Sequence, residues 1–275
     1  MRTVLPLVLL LGCPTPDDKA EDVDSDSDGL MDAQEAELGT DPAAADSDED
    51  GLDDGAEVND HGTDPLSTDS DDDGYLDPWE VTEGSDPNDD ESLIYIGGWP
   101  YNPDKDSLED PGFGGVATEG ERMPRFVWVD QFGDEVDIYD FAMQGKPVAV
   151  DLSGAWCYWC QETAKLMEGK RSALDGYGWD DLHLYLEAGD FYWITILDSD
   201  VSGRKISDEE VAEWYAEFEN PYVPVLGDKD GEMTAWFQPY GYPSVLLLDE
   251  EMNVTLYDSE NYTAVFDELM SMYAE

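Results

Sequence analysis

Apolar positions fall into two regimes along the chain. From residue 124 onward, short apolar runs alternate with segments whose apolar residues recur every three or four positions. Runs at 126–129, 148–152, 191–197 and 244–248 predict strands, those at 148–152 and 244–248 being central ones. Residues 133–138 read as a turn into a further strand or loop, and 252–257 as an edge strand. Helical spacing places Cys160, Ala164 and Met167 on one face of a helix that opens after Trp156 and Cys157. Ser207 followed by Glu210 predicts a capped helix through Phe218, and 262–273 a final helix. Alternation of this kind implies an α/β domain, a mixed sheet flanked by helices.

Upstream that pattern is missing. Residues 14–92 carry 31 acidic side chains against one basic residue, Lys19, and few large apolar groups. Such a segment cannot fold by burying apolar surface alone. Residues 121–275 carry 33 acidic and 9 basic residues and most of the aromatics. The chain therefore divides into parts held together by different means. The formal net charge of −57 excludes a nucleic-acid partner, whose phosphates would be repelled, and makes divalent cations the natural counterions.

The first residues read as an address. Met1 and Arg2 are followed by an apolar run at 4–11, too short to span a bilayer, for which roughly 20 residues are needed. The run ends in Leu10, Leu11, Gly12 and Cys13, which resembles a bacterial lipobox. The resemblance implies an exported protein with lipid on Cys13, residues 1–13 being signal and lipobox and 14–23 a tether. Membrane contact would be through the lipid anchor only. The setting would be the bacterial cell envelope, at the outer membrane or cell surface, with the periplasm as the alternative. Cys157 and Cys160 are then the only thiols left.

Three segments starting at Asp24, Asp46 and Asp69, 22 and 23 residues apart, align without gaps. The first sets Asp24, Asp26, Asp28, Leu30, Asp32 and Glu35 at positions 1, 3, 5, 7, 9 and 12. The second sets Asp46, Asp48, Asp50, Leu52, Asp54 and Glu57 at the same positions, and the third Asp69, Asp71, Asp73, Tyr75, Asp77 and Glu80. Glycine stands at position 6 each time. This is the ligand order of an EF-hand-type calcium loop. Side-chain oxygens would come from positions 1, 3, 5, 9 and 12 and a carbonyl oxygen from position 7. Between the loops recurs Gly39-Thr40-Asp41-Pro42, then Gly62 to Pro65 and Gly84 to Pro87. Together the two phrases, over residues 24–90, resemble thrombospondin type 3 repeats. That resemblance implies an irregular calcium-loop region with structural calcium, with Asp41, Asp64 and Asp86 as secondary ligands. We expect a calcium-stiffened stalk ordered only with metal bound. Residues 91–120, rich in Gly and Pro, read as a linker.

Residues 121–275 resemble the thioredoxin superfamily, in its exported peroxiredoxin and cytochrome-maturation type. Trp156-Cys157-Tyr158-Trp159-Cys160 sits between a buried strand and a helix, Asp151 lies six residues before the first Cys, and Pro243 precedes a buried strand. The resemblance implies a thioredoxin-like fold and a thiol–disulfide oxidoreductase that needs no organic cofactor. Cys157, at a helix N-terminus, would be the attacking thiolate and Cys160 the resolving thiol. Asp151 would be a buried proton acceptor, Trp156 a flanking group and Pro243 a cis-proline beside the site. Partners would be a protein disulfide or dithiol and a membrane electron donor or acceptor. Tyr158 and Trp159 between the cysteines favour a reductase or modest exchanger over a strong oxidant. Four readings compete: half a zinc site, for which no second cysteine pair exists; a structural disulfide; a peroxidase, for which no additional peroxidatic Cys is present; and a non-catalytic calcium-dependent adhesion or scaffold protein using the fold to bind.

Overall fold

The computed structural model describes residues 23–273. Cys13, the signal and lipobox at 1–13, and all but the last residue of the expected tether lie outside the described residues. The chain divides into two units, split between Ser92 and Leu93. No helix among the described residues is long and apolar enough to cross a membrane.

In the first unit each loop runs into a short helix: α1 (Asp32–Leu38), α2 (Asp54–Ala56, continued by a wider turn at Glu57–His61) and α3 (Asp77–Glu83). Gly39, Gly62 and Gly84 end these helical segments in the left-handed conformation, each donating its N–H to the Glu at loop position 12. The Gly-Thr-Asp-Pro phrase is thus a helix stop. Among the large apolar residues of the loops, Leu30 and Tyr75 are buried, while the residues shut away in numbers are acids: Glu35, Asp54, Glu57, Asp77 and Glu80.

The second unit is built on a five-stranded sheet in the order β5-β4-β3-β6-β7. Its strands are β3 (Val148–Gly154), β4 (Tyr192–Ser199), β5 (Val225–Gly227), β6 (Ser244–Leu248) and β7 (Val254–Tyr257). β3, β4 and β5 run parallel; β6 is antiparallel to β3, and β7 to β6. A hairpin, β1 (Val127–Val129) with β2 (Glu135–Asp137), precedes the sheet. The helices are α4 (Tyr158–Met167), α5 (Leu182–Glu187), α6 (Asp208–Glu217), α7 (Glu232–Phe237) and α8 (Thr263–Tyr273). This is the thioredoxin-like mixed sheet with flanking helices that the resemblance implies.

Both sheet faces are covered, which is why β3 is buried along its whole length. Side chains alternate across a strand. Val148, Val150 and Leu152 face one core with Phe141, Trp236 and Phe237. Ala149 faces the other, with Cys160, Leu166 and Phe266 from α4 and α8. Asp151, two residues on from Ala149, therefore points to the side covered by α4. Ser207 caps α6 as expected, accepting from the Glu210 N–H.

Residues 93–120 depart from the expected linker, since they belong to the second unit. Tyr95, Trp99 and Tyr101 are buried. Tyr95 OH and the Asn102 N–H donate to Asp140 at 2.6 and 2.9 Å, Lys105 pairs with the same carboxylate at 2.8 Å, and the Trp99 indole donates to Asp130 at 2.7 Å. Aromatic anchors and two buried acids hold a segment whose Gly and Pro content suggests a tether.

Candidate functional sites

Each loop of the first unit is wound around its own aspartates. Asp24 accepts from the N–H groups of Ser27 and Gly29 at 2.7 and 3.3 Å, and Asp46 does the same with Glu49 and Gly51 at 2.7 and 3.0 Å. Position 5 accepts from the N–H of position 7: Leu30 to Asp28 and Leu52 to Asp50 at 2.7 Å, Tyr75 to Asp73 at 2.8 Å. Asp24 and Asp46 use both oxygens in these bonds, whereas Asp50 and Asp73 use one. Asp26, Asp48, Asp50, Asp71 and Asp73 each retain a buried Oδ2 without a hydrogen-bond partner, as does Asp69 at Oδ1. The ligand atoms of positions 1, 3 and 5 come within 4.8 Å of one another in all three loops.

Position 9 is placed differently from the EF-hand expectation. Asp32, Asp54 and Asp77 each accept from the N–H and hydroxyl of the Ser at position 2 of their own loop, at 2.6–3.0 Å. Asp54 then groups with Asp28 and Glu35 of the preceding repeat, and Asp77 with Asp50 and Glu57, again within 4.8 Å. Sequence reasoning missed this second kind of donor set because it spans a junction. Gly55 makes the first junction: its N–H donates to Asp28 Oδ2 at 2.8 Å, and a Cβ there would stand 2.2 Å from the Asp28 carbonyl oxygen. Asp41, Asp64 and Asp86, expected as secondary ligands, lie outside every cluster among the described residues. Their carboxylates accept from N–H groups two residues on, in their own turns.

The donor chemistry fits calcium. A buried carboxylate oxygen without a partner is costly unless a cation compensates it, and calcium takes six to eight such oxygens. Both oxygens of fully buried Glu35 lack a hydrogen-bond partner, as does Oε2 of Glu57 and of Glu80. Burial, then crowding by neighbouring aspartates, pushes Glu35 and Glu80 up to about 7, Glu57 to about 8 and Asp50 to about 6.

In the second unit β3 delivers the chain to the N-terminus of α4, where Cys157 is the N-cap. Its Sγ accepts the Cys160 N–H at 3.3 Å and lies 3.4 Å from the carbonyl oxygen of Tyr242. Both thiols are free and buried, at 5% and 0% exposure. The Cys160 side chain, then the N–H groups of Cys160 and Trp159, stabilise a Cys157 thiolate against the burial that opposes it, and its pKa falls to about 7. Burial, then the neighbouring Cys157 and Asp151, push Cys160 strongly up. Asp151, 2% exposed, is raised to about 7 by burial, although Ser153 Oγ donates to its Oδ1 at 2.8 Å. Ser153, fully buried, is a residue the sequence reading missed; its place two residues along the same strand face was the available signal. Pro243 follows a cis peptide bond. The structure thus brings Asp151, Cys157, Cys160 and Pro243 together. Trp156, Tyr158 and Trp159 are half exposed around the thiol.

The bacterial TSP3 repeat family matches residues 24–45, 46–68 and 69–90. An uncharacterised protein of Haemophilus influenzae is 33% identical over 111 residues, 40% of this chain and 62% of that protein. The chain thus spans somewhat under two thirds of that relative's length. Among solved structures, the thioredoxin domain of a thiol–disulfide oxidoreductase from Bacteroides vulgatus is 21% identical, covering 56% of this chain and 99% of that one, with a TM-score of 0.39. A thiol:disulfide interchange protein from a Bacteroides species is 18% identical over 58% and 92%, TM-score 0.42. The pneumococcal exposed lipoprotein thioredoxin from Streptococcus pneumoniae is 19% identical over 52% and 98%, TM-score 0.38. Residues 24–90 of the first unit thus match three bacterial TSP3 repeats. The second is thioredoxin-like by its own strand order.

Proposed function

We propose that this protein is an exported thiol–disulfide oxidoreductase, anchored in the bacterial cell envelope by lipid on Cys13, whose calcium-binding repeats precede the redox domain. The observation that carries the redox reading is Cys157 at the N-cap of α4, its Sγ accepting the Cys160 N–H at 3.3 Å, with the buried Asp151 near enough for its charge to act on both thiols. Cys157 as thiolate attacks one sulfur of a protein disulfide, forming a mixed disulfide and expelling the other sulfur as a thiolate. Asp151 takes the proton from the Cys160 thiol. The Cys160 sulfur then attacks Cys157, forming the Cys157–Cys160 disulfide and releasing the second substrate thiol. The substrate gains two electrons and the cysteine pair loses them; a membrane electron donor restores the pair. In the repeats, Asp24, Asp26 and Asp28 with the Leu30 carbonyl would hold calcium, as would the matching residues of the other two loops. Glu35 with Asp28 and Asp54, and Glu57 with Asp50 and Asp77, would hold it at the junctions. Bound calcium supplies the positive charge that lets these acids ionise while buried.

The test is reduction of a disulfide-bonded protein with dithiothreitol as electron source. Wild type should accelerate it and Cys157→Ser should not, whereas Cys160→Ser should accumulate the mixed disulfide. Equal rates for wild type and Cys157→Ser would leave a binding module in place of an enzyme.

A further inference from the structure

Strand β4 ends in Asp198 and Ser199, and the thiol chemistry above uses neither. Both reach side chains that flank Cys157. Ser199 Oγ accepts the Trp156 indole N–H at 2.9 Å and donates its own hydrogen to Asp198 Oδ1. Tyr242 OH donates to the other oxygen, Oδ2, and Thr234 Oγ1 lies 3.5 Å from it. One carboxylate therefore ties the residue before Cys157 to the residue before Pro243. The two rings meet edge to face, with centroids 5.9 Å apart and planes at 80°. The Tyr242 carbonyl oxygen is the one beside Cys157 Sγ. Gly154 is an independent sign that the indole's place is built in. A Cβ there would stand 2.8 Å from Trp156 Nε1 and 3.1 Å from Ser199 Oγ, so only glycine leaves room for this bond. Trp156 is nevertheless 50% exposed. Yet its indole N–H has a hydrogen-bond partner and its ring packs edge to face on Tyr242.

We propose that Asp198 is a positioning residue that fixes Trp156 and Tyr242 as the two aromatic walls beside Cys157, against which a substrate polypeptide lays the segment carrying its disulfide. The proposal rests on the oxidoreductase reading of the cysteine pair. Oδ2 holds Tyr242 directly and Oδ1 holds Trp156 through the Ser199 hydroxyl, the two bonds to the carboxylate being strengthened by its charge. Burial and the Asp198 charge keep the Tyr242 phenol protonated and hence a donor. Walls fixed before binding lose less side-chain freedom when a polypeptide docks. A small disulfide that touches only the sulfur gains nothing from them.

The test compares a disulfide-bonded protein with hydroxyethyl disulfide as substrates of the full chain in calcium. Asp198→Ala should raise KM for the protein disulfide about tenfold with kcat nearly unchanged. Turnover of the small disulfide and the pH midpoint of Cys157 alkylation should stay as in wild type. Asp198→Asn keeps one acceptor and should fall between. Gly154→Ala, which displaces the indole but leaves Asp198 intact, should reproduce the KM effect. Tyr242→Phe should cost less in the Asp198→Ala background than alone. The Trp156 indole N–H signal, identified by its loss in Trp156→Phe, should be protected from solvent exchange in wild type and unprotected in Asp198→Ala. An unchanged KM with protection retained would overturn the proposal, as would a shifted Cys157 midpoint with KM unchanged. Wild type inactive on both disulfides would instead overturn the oxidoreductase reading, leaving the indole signal to decide whether Asp198 holds Trp156.

Discussion

Both units bury carboxylates, and they compensate them in different ways. In the second unit most are answered from within the chain. Asp140 has Lys105, Tyr95 and Asn102; Asp137 has Arg125; Asp130 accepts three N–H groups and the Trp99 indole. In the first unit the acids answer one another only with like charge, and their free oxygens converge. Desolvation without a partner is among the costliest things a fold can do. On the calcium reading proposed above, the first unit depends on a cation from outside the chain, whereas the named acids of the second unit are answered by the chain's own donors. Asp151 stands between the two cases: fully buried, with one hydrogen bond and no cation.

The largest expected effect breaks the comparison at its root. Removing calcium from the whole protein with a chelator should bring amide exchange across residues 24–90 to the unprotected rate, while β3 and β6 stay protected. Protection of 24–90 that survives chelation would mean the acids are compensated within the chain after all. Restoring calcium should restore protection.

Asp151→Asn sharpens the intermediate case. A carboxyl raised to about 7 in the folded state, from 3.8, binds its proton more tightly folded than unfolded. Its ionisation therefore opposes folding: stability falls as pH rises from about 4 to about 7 and is level above. The Asn variant should lose that slope and be more stable than wild type at pH 8, by on the order of a few kcal/mol. Resolution of the mixed disulfide should move the other way. In wild type it quickens as Asp151 ionises through pH 7, and in Asp151→Asn that limb moves upward toward titration of the buried Cys160 thiol. Identical pH profiles for release of the second substrate thiol would remove Asp151 from the proton path.

What could be read in advance follows from the range of the interactions. β3 and β6 were legible because a strand buried on both faces writes itself as a continuous apolar run, and α6 because Ser207 and Glu210 cap it locally. β5 was not; it has three residues, and its edge is completed by the Gln131 side chain, which bonds Val223 and Val225 from more than ninety residues away. The short α7 begins at a left-handed Gly231 with no side-chain cap to announce it. The convergence of positions 1, 3 and 5 within each loop was legible from their spacing. The grouping of Asp54 and Asp77 with acids of the preceding repeat was not, because it joins positions far apart in sequence. Ser153 and Asp198 act through strand geometry and leave no motif.

Tyr95→Phe gives the smallest effect and bears on the segment that composition misread. The substitution removes one hydroxyl and leaves the ring in place against the hairpin and β3 side of the core. Asp140 loses the 2.6 Å bond from Tyr95 but keeps Lys105 and the Asn102 N–H, so no charge is left unpaired. The expected cost is that of one hydrogen bond to a charged acceptor with its other partners intact, about 1–2 kcal/mol. Lys105→Met in the same background should cost more than it does alone, because the two donors share one buried carboxylate. A free linker would respond to neither change. Loss of stability in the thermal unfolding of β3 and β6 would therefore place residues 93–110 in the folding unit of the sheet, and an unchanged transition would return them to the role of a tether.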